Sequence, residues 1–401
     1  MFQGRNVTTG VSLLSFPEGD YSHGLVFSPD DRRLAIGTMP VWGSGSVSLL
    51  ELDYSRGIQT YRGLTGQVCK VCFSLDGRRL AALSHDWQAA VWDRDSGRLV
   101  AVINVPPASF VDNASLALSP DCQRLAYAGG HEARLWNLET GEERGWSFRD
   151  GEADHEGLQD QLAFTGPDRL LSARVENRDG RGFPAGLMSP DQPKVVRVRN
   201  LLGSEPIKPI TEIADLELAV HANQLTFDGR YLVAGGFTGS PSHPRHLLNG
   251  YEVSMGKRLW SAPVSAEPNQ LYVRLDPTSS TLLWWVGDRG FTLLDIADGR
   301  YLGTIERRGY PSLGPRASLI MGFDSGTDDE PSGLELRRRD NDGERGLFRL
   351  TQDSSFQAGA LDARSFTSDG RYAALGSTDG SVFVFDFEAI NRRLSGIGMG
   401  W

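Results

Sequence analysis

Residues 71–103 read VCFSLDGRRLAALSHDWQAAVWDRDSGRLVAVI. Val71-Cys72-Phe73 ends one apolar run, Leu75-Asp76-Gly77 turns the chain, and Leu80 to Leu83 form a second run. His85-Asp86 turns into Ala89 to Trp92, and Asp95-Ser96-Gly97 turns into Leu99 to Val102. Short apolar runs separated by Asp, Gly and Ser predict four antiparallel strands with tight connections. A sheet of this kind has two apolar faces and cannot cover both alone. The stretch is therefore either an accident or one copy of a repeat that packs against others.

The frame recurs. Leu118-Ser119-Pro120-Asp121 leads through Leu125 and Trp136-Asn137 to Glu139-Thr140-Gly141. Phe27-Ser28-Pro29-Asp30 leads through Leu34-Ala35-Ile36 to Leu52-Asp53, and Phe366 to Gly370 leads to Asp379-Gly380 and Phe385-Asp386. Looser copies run from Phe164 to Asp168, from Leu225 to Gly229, and from Leu275 to Leu294-Asp295. Phe27, Phe73 and Leu118 stand 46 and 45 residues apart, a spacing that suits propeller blades.

With Trp92-Asp93, Trp136-Asn137 and the turn acids Asp86, Asp288 and Asp379 in register, the chain resembles the WD40 family of β-propellers, with degenerate repeats of a bacterial type. Each turn acid lies six residues before its Trp-equivalent position. The resemblance implies an all-β fold: a single propeller of four-stranded antiparallel blades over residues 1–387. The family's Gly-His before the first strand is absent, its place taken by Gly63-Leu64. The Asp–His–Ser–Trp hydrogen-bond network is accordingly expected to be incomplete.

Units starting near 21, 68, 113, 159, 220, 270, 313 and 360 favour eight blades, with seven as the alternative. After Asp386 the spacing of Phe387, Ile390 and Leu394 predicts a short helix, so residues 388–401 read as a helical tail. The missing outer strand of the last blade is expected from the N-terminus. Arg5 to Gly10 matches the turn from Trp136 to Gly141, and Val11 to Phe16 reads as a strand that closes the ring. The tail resembles the helix that follows propellers in some large bacterial proteins, which implies a module of a multidomain chain.

Composition narrows the function. The 47 Gly and 20 Pro are scattered rather than gathered in a linker, as many turns require. A formal net charge of −10 argues against a general nucleic-acid or anionic-membrane binder. The opening MFQGRNVTTGVSLL has no basic segment followed by an apolar run, and no stretch approaches the ~18 apolar residues of a spanning helix. Cys69, Cys72 and Cys122 cannot all pair, and Cys69 and Cys72 flank a Val- and Phe-rich strand with no second pair after them. They read as buried thiols in a cytoplasmic protein rather than a zinc or redox pair.

In the fold that the resemblance implies, loops joining strands two and three, and blade to blade, share one face. The insertions fall there: Met39 to Gly43, Glu176 to Pro193, Phe237 to His246 and Asp324 to Pro331. Opposite turns such as Pro29-Asp30-Asp31, Leu75-Asp76-Gly77 and Asp298-Gly299 stay minimal. Trp42, Trp87, Arg178, Arg181, Phe183, Phe237, Arg245 and Arg289 are the candidate partner-binding residues, of the aromatic and Arg types that anchor interfaces. All seven histidines also fall in these loops: His23, His85, His131, His155, His221, His243 and His246. Polar residues must go to loops when strands are apolar, and Pro244 breaks helical spacing between His243 and His246, so they read as structural or recognition residues. His85, His131, His243 and His246 are the candidates should a metal bind.

Other motifs do not resolve into chemistry. Asp340 to Glu344 lacks a calcium-loop spacing, Gly43 to Ser46 lacks the Lys of a phosphate loop, and neither Gly-x-Ser-x-Gly nor HExxH occurs. Arg337 to Arg339 reads as an exposed face, and Trp284-Trp285 as two indoles packed between blades. The expected function is a non-enzymatic scaffold without cofactor, a monomeric propeller binding a protein or peptide on the loop-rich face. The alternative is a propeller hydrolase or lyase with a His/Asp metal site at the channel mouth.

Overall fold

The computed structural model describes residues 2–5, 12–16, 21–27, 33–39, 46–51, 57–108, 114–130, 132–148, 161–177, 194–206, 208–216, 219–238, 245–264, 273–285, 290–305, 311–324, 333–340, 343–351 and 364–395. Blade one consists of Val68–Phe73, Arg79–Ser84, Gln88–Asp93 and Leu99–Asn104, and blade two of Ser115–Leu118, Arg124–Gly129, Glu132–Asn137 and Glu143–Ser147. Blade three holds Gln161–Gly166, Arg169–Asn177, Lys194–Asn200 and Pro209–Leu216. Blade four holds Ala219–Leu225, Tyr231–Thr238, Arg245–Glu252 and Lys257–Val264. Blade five is Val273–Leu275, Thr281–Trp285, Phe291–Asp295 and Tyr301–Ile305, and blade six is Ser312–Leu313, Leu319–Asp324, Gly333–Asp340 and Gly343–Thr351. Blade seven takes Arg364–Phe366, Tyr372–Gly376 and Val382–Asp386 from the end of the chain and Ile58–Tyr61 from before blade one.

The first strand of each blade lies beside the first strands of its neighbours, and Arg364–Phe366 returns against Val68–Phe73. The ring is a seven-bladed β-propeller.

The expectation of eight blades is thus corrected to the alternative of seven. The unit starting near 21 has the local frame of a blade, but Tyr21–Phe27, Arg33–Met39 and Ser46–Glu51 form a three-stranded sheet of their own. The strand that follows it, Ile58–Tyr61, pairs with Val382–Asp386 in the register Tyr61↔Val382 and Ile58↔Phe385. An N-terminal strand does complete the last blade, as expected, but it is this one and not residues 5–16. Phe2–Arg5 pairs instead with Ser12–Phe16 as a hairpin, Phe2 opposite Phe16. Local pattern marks a segment as a strand without naming the edge it joins.

Alternation along each strand sends side chains to opposite faces, and both faces are apolar. Seven apolar clusters result among the described residues, one at each blade–blade interface. At the closing interface Tyr61, Leu80 and Trp92 pack with Ala374, Val382 and Val384. Tyr61 is 2% exposed, meets Trp92 edge-on with centroids 6.1 Å apart, and donates its hydroxyl to the Arg94 carbonyl at 2.6 Å. Gly380, at φ +83, lies so close to the Leu64 carbonyl that a Cβ would stand 2.4 Å from its oxygen. Only glycine fits there.

The helix Phe387–Ser395 follows directly, as its spacing predicts. Asp386 caps it by accepting from the Ala389 amide at 3.0 Å, and Phe387 and Ile390 pack on the core of blades six and seven.

Ring closure has a direct test. A chain starting at residue 55 is expected to keep the cooperative melt of the full chain, whereas one starting at residue 66 loses the closing strand. Burying one large aromatic contributes roughly 2–3 kcal/mol, so the second truncation is expected to melt at least about 5 °C lower in calorimetry.

Candidate functional site

The seven first strands surround a central cavity of about 670 Å³. Each carries at or near its end an apolar anchor paired to the second strand: Phe73↔Leu80, Leu118↔Leu125, Phe164↔Leu170, Leu225↔Leu232, Leu275↔Leu282, Leu313↔Ile320 and Phe366↔Ala373. The residue before each anchor also lines the cavity, giving a ring of Cys72, Ala117, Ala163, Gln224, Arg274, Ser312 and Ser365. One of these seven is charged, Arg274, which is half-buried and donates through Nη1 to the Val273 carbonyl at 3.0 Å. Lys70 and Arg364 add two cations to the lining, and Asp228 is the acid among its described residues. Desolvation pushes the Cys72 thiol up to about 12, so it stays protonated.

The cavity rim is built from the tight turns: Leu75, Pro120, Gly166, Phe227, Pro277 and Ser368. Four of these six turns share one device, a Ser or Thr hydroxyl donating to the Asp two residues on. Ser74 bonds Asp76 at 2.7 Å, Ser119 bonds Asp121 at 2.5 Å, Thr226 bonds Asp228 at 2.6 Å and Thr367 bonds Asp369 at 2.5 Å. The next residue sits at positive φ: Gly77 at +69, but Cys122 at +60. Cys122 donates its thiol across the blade boundary to Asp76 at 3.1 Å. Cys69 is fully buried and donates to the Leu83 carbonyl at 3.1 Å.

On the loop-rich face, Trp87 is half-buried at φ +63 and packs against the core of blades one and two. Arg245 is exposed at the start of its strand, and Phe237 pairs with His246 in the backbone ladder of blade four. Trp42, Arg178, Arg181, Phe183 and Arg289, with Asp288, His131 and His243, lie outside the described residues, as do the side chains of Phe237 and His246. His85 is exposed. Among the described residues no group of three His, Cys, Asp or Glu side chains could hold a metal. None of their helices is long and apolar enough to cross a membrane.

The turn acids hold blade geometry. Asp86 accepts from Ser84 and, at 2.6 Å, from Thr65, the residue after Leu64. Trp92 donates its indole N–H to the Arg62 carbonyl at 2.9 Å. Thr65 thus does the work that an absent His leaves open, a substitution visible in the sequence only once the hydroxyl is placed beside the acid. Asp379 accepts from the Ser381 amide at 2.9 Å.

Residues 56–93 match the family model described as WD domain, G-beta repeat. Over 80 residues the chain is 35% identical to the vegetative incompatibility protein HET-E-1 of Podospora anserina, which covers 19% of this chain and 6% of that protein. Over 83 residues it is 39% identical to the WD repeat-containing protein SL1-17 of Schistosoma mansoni, covering 21% of this chain and 26% of the other. The crystal structure of the β-propeller domain of Cps50 (Swd1) from Myceliophteria thermophila superposes with a TM-score of 0.56 at 15% identity, covering 82% of this chain and 99% of that one. The fold and the matched repeat make the chain a seven-bladed β-propeller that carries a WD40 repeat over residues 56–93, and it spans only a small part of the curated relatives it matches.

Burial opposes ionisation of Asp86, but hydrogen bonds from Ser84, Thr65 and backbone amides outweigh it and lower the carboxyl below its usual 3.8. A carboxyl lowered by folding stabilises above its ordinary value and loses that contribution as pH falls through the lowered one. Asp86→Asn is therefore expected to melt about 2–4 °C below the parent at neutral pH. The difference should shrink toward zero as pH falls through the lowered value, where the parent becomes protonated too. Calorimetry across that range checks it.

Proposed function

We propose that this propeller is a non-catalytic scaffold that holds a protein or peptide partner on its loop-rich face. The supporting observation is the division of labour between the two ends of the blades. The second-to-third connections of blades three and four span 178–193 and 239–244, whereas in blades one and two they are tight turns. A rigid ring presents such loops without having to order itself on binding. WD40 propellers generally bind proteins, which gives the reading its partner class. Trp87 and Arg245 are its described contact residues, with Trp42, Arg178, Arg181, Phe183, Phe237 and Arg289 as further ones. The thiol state of Cys69, Cys72 and Cys122 suits the cytoplasm.

Affinity purification with the tagged chain, followed by mass spectrometry, supplies the partner, and alanine substitutions then map the face. At two or more of the eight contact residues, binding is expected to weaken by more than about 1 kcal/mol, the level of an interface anchor. Arg245→Ala is the cleanest variant because Arg245 is exposed. Ile210→Ala and Tyr301→Ala, on the outer strands of blades three and five, are expected to leave binding unchanged. A partner insensitive to all eight substitutions overturns the reading.

A further inference from the structure

Residues 52–57, LDYSRG, carry the code of a hairpin whose two strands the structure does not pair. In blades one, two, four and five the third strand ends at Asp93, Asn137, Glu252 and Asp295. Four residues further on, Gly97, Gly141, Gly256 and Gly299 turn the chain into the outer strand at φ +70, +74, +63 and +70. Asp53 and Gly57 follow Ser46–Glu51 with the same spacing, so the code makes Ile58–Tyr61 the fourth strand of the N-terminal sheet. Gly57, however, is not at positive φ. The sheet stops at three strands, and the outer edge of Ser46–Glu51 is unpaired among the described residues.

The strand has gone to blade seven, where its ladder is short. Ile58–Tyr61 has four residues, against five to nine in the outer strands of the other six blades. The Asp386 amide donates to the Gly57 carbonyl at 2.8 Å, and Gly57 makes room for the helix, since a Cβ would stand 2.9 Å from Ile390 Cγ1. The same glycine therefore suits both pairings: here through its missing side chain, in a hairpin through its freedom at positive φ. Burial of Tyr61 and its hydroxyl bond to the Arg94 carbonyl favour blade seven. One strand thus has two edges that fit it.

We propose that Ile58–Tyr61 is a switch strand. In the form described above it closes blade seven. In a second, less populated form it folds back at Gly57 onto Ser46–Glu51, completes a four-stranded N-terminal sheet and leaves the edge of Val382–Asp386 open. The register of blade one, with Trp92 opposite Leu99, Val91 opposite Ala101 and Ala90 opposite Val102, then sets Leu52 opposite Gln59, Glu51 opposite Tyr61 and Leu50 opposite Arg62. The exchange couples the N-terminal sheet to the ring, because whatever favours one pairing of the strand disfavours the other. It goes beyond the scaffold reading and does not rest on it.

Disulfide trapping in the full chain, driven by oxidised glutathione and read by peptide mapping, separates the two forms, since residues facing each other across antiparallel strands lie within reach of a disulfide. Thr60→Cys with Phe383→Cys reports the closed form, in which the two positions are paired, and is expected to trap fast. Leu50→Cys with Arg62→Cys reports the second form and is expected to trap slowly. Ile390→Ala loosens the helix over Gly57 without touching a strand, and should slow the first pair and speed the second at least ~3-fold each. Adding Gly57→Ala to Ile390→Ala removes freedom at positive φ, while the nearest listed helix atom other than Cγ1 stands 3.8 Å from the new Cβ. It should slow the second pair again at least ~3-fold, which a strand that merely frays would not show. Leu52→Cys with Gln59→Cys replaces the second pair if Leu50→Cys does not fold. A second pair that never traps, that ignores Ile390→Ala, or that traps equally with Gly57→Ala overturns the proposal.

Discussion

Each blade is apolar on both faces, and the burial that holds one blade is always shared with the next. Leu80 and Trp92 of blade one lean on Val382 and Val384 of blade seven, while Leu83 and Val91 of the same strands lean on Leu125 and Tyr127 of blade two. No interface can be left open without exposing a whole sheet face, so the apolar driving force demands a closed ring. The closing strand Ile58–Tyr61 follows from that demand. It brings Tyr61 against Trp92 and Arg94, and seals an edge that Val382–Asp386 would otherwise present to solvent.

Polar groups then fix what apolar packing leaves loose. Sheet faces pack through general shape, and small slips between neighbours cost little until a directional bond intervenes. Here such bonds cluster at the tight-turn end: Cys122 to Asp76, Arg124 to the Pro167 carbonyl at 3.0 Å, and the Arg316 amide to Asp276 at 2.6 Å. Asp276 is fully buried and also accepts from the Ser280 and Thr281 amides at 2.7 Å each, so one carboxylate orders its own turn and the adjoining blade.

What could be read beforehand divides along the same line. The period-two runs, the Asp-Gly turns and the Trp92 and Trp136 positions are local and repeat, so the class of fold and the C-terminal helix were legible. The number of blades was not. Tyr21–Phe27 and Arg33–Met39 look like a blade because strand signals record alternation, whereas membership of the ring depends on which edge Ile58–Tyr61 joins, some 320 residues away from its partner. Leu64 stands where the family has His, which implies an incomplete hydrogen-bond network; Thr65, one residue later, supplies a donor to Asp86. Arg274 gave no motif at all. Its signal is positional, one residue before a strand anchor, and becomes visible only when the seven strands are laid in register.

That positional signal explains why fold and ligand are so unequally legible. In Val273–Leu275, Val273 packs into the core between blades four and five with Leu275 against it, while Arg274 between them faces the channel. The equivalent of Arg274 is Cys, Ala, Gln or Ser in the other blades. The position before the anchor thus varies from blade to blade, although Ala163 is itself buried in the core of blades three and four and Cys72 and Ala117 pack against neighbouring cores. A repeat maintained by packing has to look alike from blade to blade. A binding site for an unsymmetrical ligand has to differ between blades, so positions at which the repeat varies are the ones able to supply it.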